Sequence, residues 1–154
     1  LTIDSTGRIL TPARPAFRAR IGTQTGGSGF TGDLVFETED FDIGGNYDTS
    51  NGKFTAPVAG IYWLSYSSMT ATNNTGGTLT SGDLFYVDFY KNGSQVAGAR
   101  HYEYVGANNR DTIQIAHLMS LSASDYVQVN VGSEFAYSNT NEAYDPVFQG
   151  YLIG

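Results

Sequence analysis

The stretch Gly52-Lys53-Phe54-Thr55-Ala56-Pro57-Val58-Ala59-Gly60-Ile61-Tyr62-Trp63-Leu64-Ser65-Tyr66 decides the fold of this chain. Gly52 suits a turn that needs positive φ, which glycine reaches without steric penalty. Phe54 and Tyr62 are strand residues whose ring area would dominate a core. Gly60 starts a strand at a crowded corner, and Ile61 to Tyr66 is apolar at both parities. An antiparallel sandwich shows one face of each sheet to water, so its strands should read half polar. A strand apolar on both faces needs a cover on its outside too, and the simplest cover is another copy of the chain.

Outward from that stretch the same two-sided character returns twice. It appears around Ile113, Ile115, Leu118, Met119 and Leu121, and again in Val147-Phe148-Gln149-Gly150-Tyr151-Leu152-Ile153. Elsewhere the period is two, which predicts strands. Phe85, Val87 and Phe89 alternate with Tyr86, Asp88 and Tyr90, and the run stops at Lys91-Asn92-Gly93, where Asn-Gly predicts a tight hairpin. Val127, Val129 and Val131 alternate with Gln128 and Asn130, predicting one core face and one wet face. Loops are expected at 23–33, 73–82, 106–110 and 138–145, each rich in Gly, Ser, Thr or Asn. Residues 1–14 read as the end of a stalk or linker, with a small turn at Asp4-Ser5-Thr6-Gly7, and residues 15–154 as one globular domain. The leading Leu1 suggests a piece of a longer polypeptide.

Charge excludes some partners. Eight Lys and Arg against fifteen Asp and Glu give a net −7, the wrong sign for binding nucleic acid. No apolar run approaches the roughly 20 residues of a membrane helix, so no membrane insertion is expected. The chain has no cysteine and therefore no disulfide or thiolate metal site. Nineteen glycines and eleven tyrosines predict tight turns and an aromatic surface, in keeping with an extracellular or particle-borne β domain.

Several motifs together carry a resemblance. Pro15-Ala16-Phe17 opens a strand; Asn46-Tyr47-Asp48, Gly52 to Pro57 and Gly60-Ile61-Tyr62 follow; Phe148-Gln149-Gly150-Tyr151-Leu152 closes the chain. Lys91-Asn92-Gly93 and Ser124-Asp125 fit between them, although Ser124 stands where glycine is usual. Residues 15–153 in this order resemble the globular head of complement component 1q, within the tumour-necrosis-factor-like superfamily. The resemblance implies an all-β, ten-stranded jelly roll that packs as a homotrimer and works by binding rather than catalysis. Separately, Leu1 to Pro12 resembles linkers of bacteriophage tail-fibre and virion proteins. Together these imply a trimeric head on a fibre that recognises a host surface glycan or protein, located on a virion or otherwise outside the cell. The alternatives are a secreted animal recognition or signalling domain and a purely structural trimerisation cap.

Candidate site residues are few. Tyr102, Tyr104, Tyr137 and Tyr144 are expected in or beside loops, where rings can stack on sugars, with His101 beside them. His117 is expected to be a hydrogen-bonded structural histidine, and two histidines without further ligand spacing predict no zinc site. No cofactor is expected; calcium is the one alternative, because family members can hold it on loop aspartates near the trimer axis. The run Glu37-Thr38-Glu39-Asp40-Phe41-Asp42 is read first as a solvated sheet edge that discourages strand addition. Asn73-Asn74-Thr75 and Asn92-Gly93-Ser94 match glycosylation acceptors, the second explained equally by turn chemistry.

Overall fold

The computed structural model describes residues 2–3, 5–7, 9–10, 14–21, 30–69, 84–104, 112–135 and 146–154. Every regular element among them is a strand. The chain opens with β1 (Thr2–Ile3) and β2 (Ile9–Leu10), which pair antiparallel in a sheet of their own around a turn at Ser5 to Gly7. The remaining strands are β3 (Ala16–Arg20), β4 (Phe30–Asp33), β5 (Thr38–Ile43), β6 (Tyr47–Asp48), β7 (Lys53–Thr55) and β8 (Gly60–Met69). After them come β9 (Leu84–Lys91), β10 (Ser94–Tyr104), β11 (Thr112–Leu121), β12 (Tyr126–Phe135) and β13 (Val147–Leu152).

These build two facing antiparallel sheets, the sandwich that the alternation predicts. The first has five strands in the order β11-β8-β13-β3-β5. The second runs β10-β9-β12-β7-β6, with β4 paired to β12 as a sixth strand. The two sheets hold eleven strands rather than ten. A second difference lies at Phe30–Asp33, expected as loop. Asp33 pairs with Asn130 and Gly32 with Val131, so strand pairing overrides a glycine-rich sequence.

The core is aromatic. Phe17 stacks on Tyr47 and Phe54 at 5.1 and 4.6 Å between ring centroids, and Phe148 meets Phe17 edge-on at 4.8 Å. Tyr62 and Phe148 of the first sheet are fully buried, with Phe54, Val87, Phe89, Val127 and Val129 of the second sheet equally buried opposite them. Burial pushes the Tyr47 hydroxyl above its usual range, and that hydroxyl accepts from the Phe36 amide at 3.2 Å.

The signature residues hold this core's corners. Gly52 has φ +74, and a Cβ there would strike the Leu34 carbonyl oxygen. At Gly150 a Cβ would lie 2.8 Å from the Trp63 carbonyl and 3.2 Å from the Phe17 ring. Asn46 accepts from the Thr55 amide at 2.8 Å through its carbonyl. Asn92 and Gly93 both have positive φ, as the hairpin requires. The Asn92 carboxamide donates to Asp125 at 2.7 Å and accepts from the Tyr126 amide at 2.9 Å. Lys91 adds an ion pair to Asp125 at 2.8 Å, and these contacts lower the Asp125 carboxyl from 3.8 to about 2, the Lys91 bond contributing most. One expectation fails on this side: Gln128, read as solvent-facing, is buried and donates to the Asn51 carbonyl at 3.0 Å.

Candidate functional site

The outward faces of the two sheets carry the features that bear on function. On the five-stranded sheet, pairing sets Leu118 opposite Trp63, Trp63 opposite Tyr151, Tyr151 opposite Ala16 and Ala16 opposite Ile43. One row of side chains without a formal charge thus crosses the whole sheet, with Trp63 and Tyr151 rings 5.5 Å apart. Three of its five members are bare: Leu118 is 60% exposed, Ile43 49% and Tyr151 46%, with Trp63 and Ala16 half-buried between them. Phe41, Ile61 and Ile153 are exposed as well. The next row along is mixed: Ala116, Ser65, Gln149, Arg18 and Phe41, in which Gln149 donates to Ser65 at 3.2 Å. Beside it a hollow of about 430 Å³ is lined by Trp63, Ser65, Ser67, Gln114 and Gln149, among others, none of them charged.

The acidic run lies on this sheet's edge strand β5, as expected. A register shift between Arg18 and Ala19 accommodates Asp40, whose carboxylate pairs with Arg18 and with Arg20, the latter at 3.0 Å. Asp42 accepts from the Tyr47 amide at 2.8 Å. Asp40 and Asp42 therefore serve separate partners, and among the described residues no group of three His, Cys, Asp or Glu is placed to hold a metal ion.

The six-stranded sheet differs. Asp88 points outward from β9 yet is 0% exposed. Arg100 of β10 lies opposite it and donates from Nε at 2.7 and 2.9 Å, with a further bond from Nη2. Gln95 adds a third donor at 3.1 Å. The Arg100 guanidinium stacks on Tyr86, 4.0 Å from the ring centroid, and its Nη1 donates to the Tyr102 hydroxyl at 3.0 Å. Hydrogen bonding from Asp88 raises Arg100 above its already high ordinary value, so the charge is permanent and locally balanced.

Of the residues expected to bind ligand, Tyr102 and Tyr104 lie on strand β10 rather than in a loop, because this segment pairs with Tyr86 and Leu84 of β9. They share the outward face, 53% and 67% exposed. His101, of opposite parity, is half-buried with Nε2 3.4 Å from Glu103. Tyr137, Tyr144 and the Asn73 acceptor lie outside the described residues. His117 packs into the protein as expected, but its buried Nε2 has no hydrogen-bond partner among the described residues. Asp88, Tyr86 and Arg100 carry no motif in the sequence; the hint lay in an acidic residue between Phe85-Tyr86-Val87 and Phe89-Tyr90.

No helix among the described residues is long and apolar enough to cross a membrane. The chain is 28% identical over 108 residues to human complement C1q and tumor necrosis factor-related protein 9B, covering 70% of this chain. It is 27% identical over 120 residues, 78% of this chain, to human complement C1q tumor necrosis factor-related protein 3. It spans only 29% and 44% of those two proteins. Among solved structures, the globular domain of zebrafish complement 1qA superposes with a TM-score of 0.66 at 15% identity, over 91% of this chain and 98% of that one. Murine APRIL gives 0.63 at 9% identity, over 90% and 99%. These two establish the jelly-roll fold. The C1q domain profile matches residues 16–153, from the first sandwich strand to the last, and the chain belongs to the C1q domain family.

Proposed function

We propose that this domain is a trimeric recognition head that works outside the cell by binding. The observation that carries the reading is the uncharged row Leu118–Trp63–Tyr151–Ala16–Ile43 across the full width of one sheet, in which Leu118, Tyr151 and Ile43 are exposed and Trp63 and Ala16 half-buried. Monomeric proteins rarely leave so continuous an apolar surface in water. A closed three-fold assembly hides it in every copy at once. The uncharged lining of the neighbouring hollow suits the same covered surface, since burying it strands no formal charge.

Between the two settings for such a head, the relatives favour an extracellular recognition domain of the animal type, since those named above include human, mouse and zebrafish proteins. The fibre setting rests on the resemblance of the first twelve residues and on the absence of cysteine. Ligand contact is assigned to the outward face of β10, where Tyr102 and Tyr104 are held on a strand rather than a loop.

Binding to immobilised cell-surface glycans and proteins, compared between the wild-type chain and a Leu118→Glu variant, tests the reading. Three linked sites should be retained roughly a hundredfold or more better than one. Equal retention of both variants contradicts it.

A further inference from the structure

Tyr86, Arg100 and Tyr102 form an array with unusual supports. The fully buried Asp88 fixes the guanidinium from below. Tyr86 is held against it by the absence of a side chain at Gly132, whose Cβ would collide with the Tyr86 ring. The Tyr102 ring sits 5.9 Å from Tyr86 at 61°, anchored through its hydroxyl. Tyr104 follows two residues along the same strand face, so its Cα lies roughly 7 Å beyond that of Tyr102. One row away, Asn130 donates to Asp33 at 2.8 Å, placing amide and carboxylate groups beside the rings.

Two properties of this array select a ligand. Its rings are pre-positioned, so stacking on them loses little side-chain freedom. Its cation is already spent: Arg100 serves Asp88 and Tyr102, leaving no excess positive charge for an anion and no open aromatic cage for a cation. We propose that the outward face of β9 and β10 is a stacking site for an uncharged sugar ring, received mainly on Tyr102, with Tyr104 taking the next ring of a chain. The Tyr102 hydroxyl accepts from Arg100 and keeps its own proton for a sugar oxygen. The inference rests on the recognition reading and names the ligand class of that face.

The test uses the full chain, with its mass checked by light scattering, and neutral probes: lactose, maltose, chitobiose and methyl mannoside, with sialyllactose and heparin oligosaccharides as charged comparators. Ring resonances of isotope-labelled tyrosine report the site. At least one neutral sugar should move the Tyr86, Tyr102 and Tyr104 signals together. Tyr102→Ala, at an exposed position, should weaken it about tenfold or more, whereas Tyr102→Phe, which keeps the ring and loses only the bonds of the hydroxyl, should weaken it less than Tyr102→Ala. Intact trimers whose tyrosines no neutral sugar perturbs overturn this inference and leave the recognition reading standing. Preference for the charged comparators overturns the ligand class. Sugar binding that survives Tyr102→Ala overturns the location. A chain that scatters as a monomer counts against the recognition reading itself.

Discussion

The outward faces of the two sheets depart from the polar-outside rule in opposite ways. On the five-stranded sheet, Leu118, Tyr151 and Ile43 are left bare, 60%, 46% and 49% exposed. On the six-stranded sheet, a buried carboxylate is covered by the protomer's own arginine, which in turn lies under tyrosine rings. On the proposed trimeric reading one face is finished by another copy of the chain; the other is finished from within and stays open to solvent. The difference teaches that exposed aromatics on this molecule are of two kinds. Those in an uncharged row need a partner to hide them, while those braced by an ion pair are stable as displayed.

Breaking the internal brace should have the largest effect. Arg100→Ala leaves Asp88 charged and buried without its partner, which should cost about 3–5 kcal/mol. The double change Asp88→Leu with Arg100→Met should recover most of that loss, since apolar replacement of a buried pair is often close to neutral. Denaturant melts check both; if the two variants are equally unstable, the pair is not what braces this face. Phe54→Ala and Phe148→Ala set the scale, each costing about 3–5 kcal/mol as a ring lost from a packed core.

The hairpin clasp on Asp125 sharpens the comparison through pH. The folded state holds this carboxyl near 2 against an ordinary 3.8. Its contribution is therefore present above pH 3.8 and fades as pH falls toward 2. Stability measured across that interval should drop, and Asp125→Asn should flatten the slope. An unchanged slope would mean that Lys91 and Asn92 do not hold the carboxylate in solution.

The smallest effect belongs to Ser124, which sits at φ 71 where the family usually has glycine. Ser124→Gly relieves a left-handed backbone penalty and should stabilise by up to about 1 kcal/mol, after its own entropy cost. A thermal melt shifted downward would show that the Ser124 side chain contributes more than the backbone strain removes.

Most of the fold was legible because its signals are local. Gly52, Asn92-Gly93 and the ring-bearing strand positions each act within a few residues, and each appears where it was read. The bare row was also legible in outline, since Trp63, Leu118 and Tyr151 make their strands apolar at both parities. The braced face was not. Continuing the hairpin register from Tyr90–Gln95 would set Ala97 opposite Asp88, but the strand shifts register before Arg100, bringing arginine there instead. Gly98, at φ +76 inside that irregular stretch, marks the place only in hindsight. The same pairing sets Tyr102 and Tyr104, expected in or beside loops, on β10 up to its last residue. The β4 strand was hidden for a related reason: its partner on β12 lies almost a hundred residues away in sequence, and no local pattern announces it.

The mass of the chain in solution tests the central claim most directly. Light scattering or sedimentation at micromolar concentration and physiological salt should give about three times 16.6 kDa, and Leu118→Glu should give a folded species of 16.6 kDa. A wild-type chain that runs at 16.6 kDa, or a Leu118→Glu variant that still runs as a trimer, would contradict the assignment of that face to another copy.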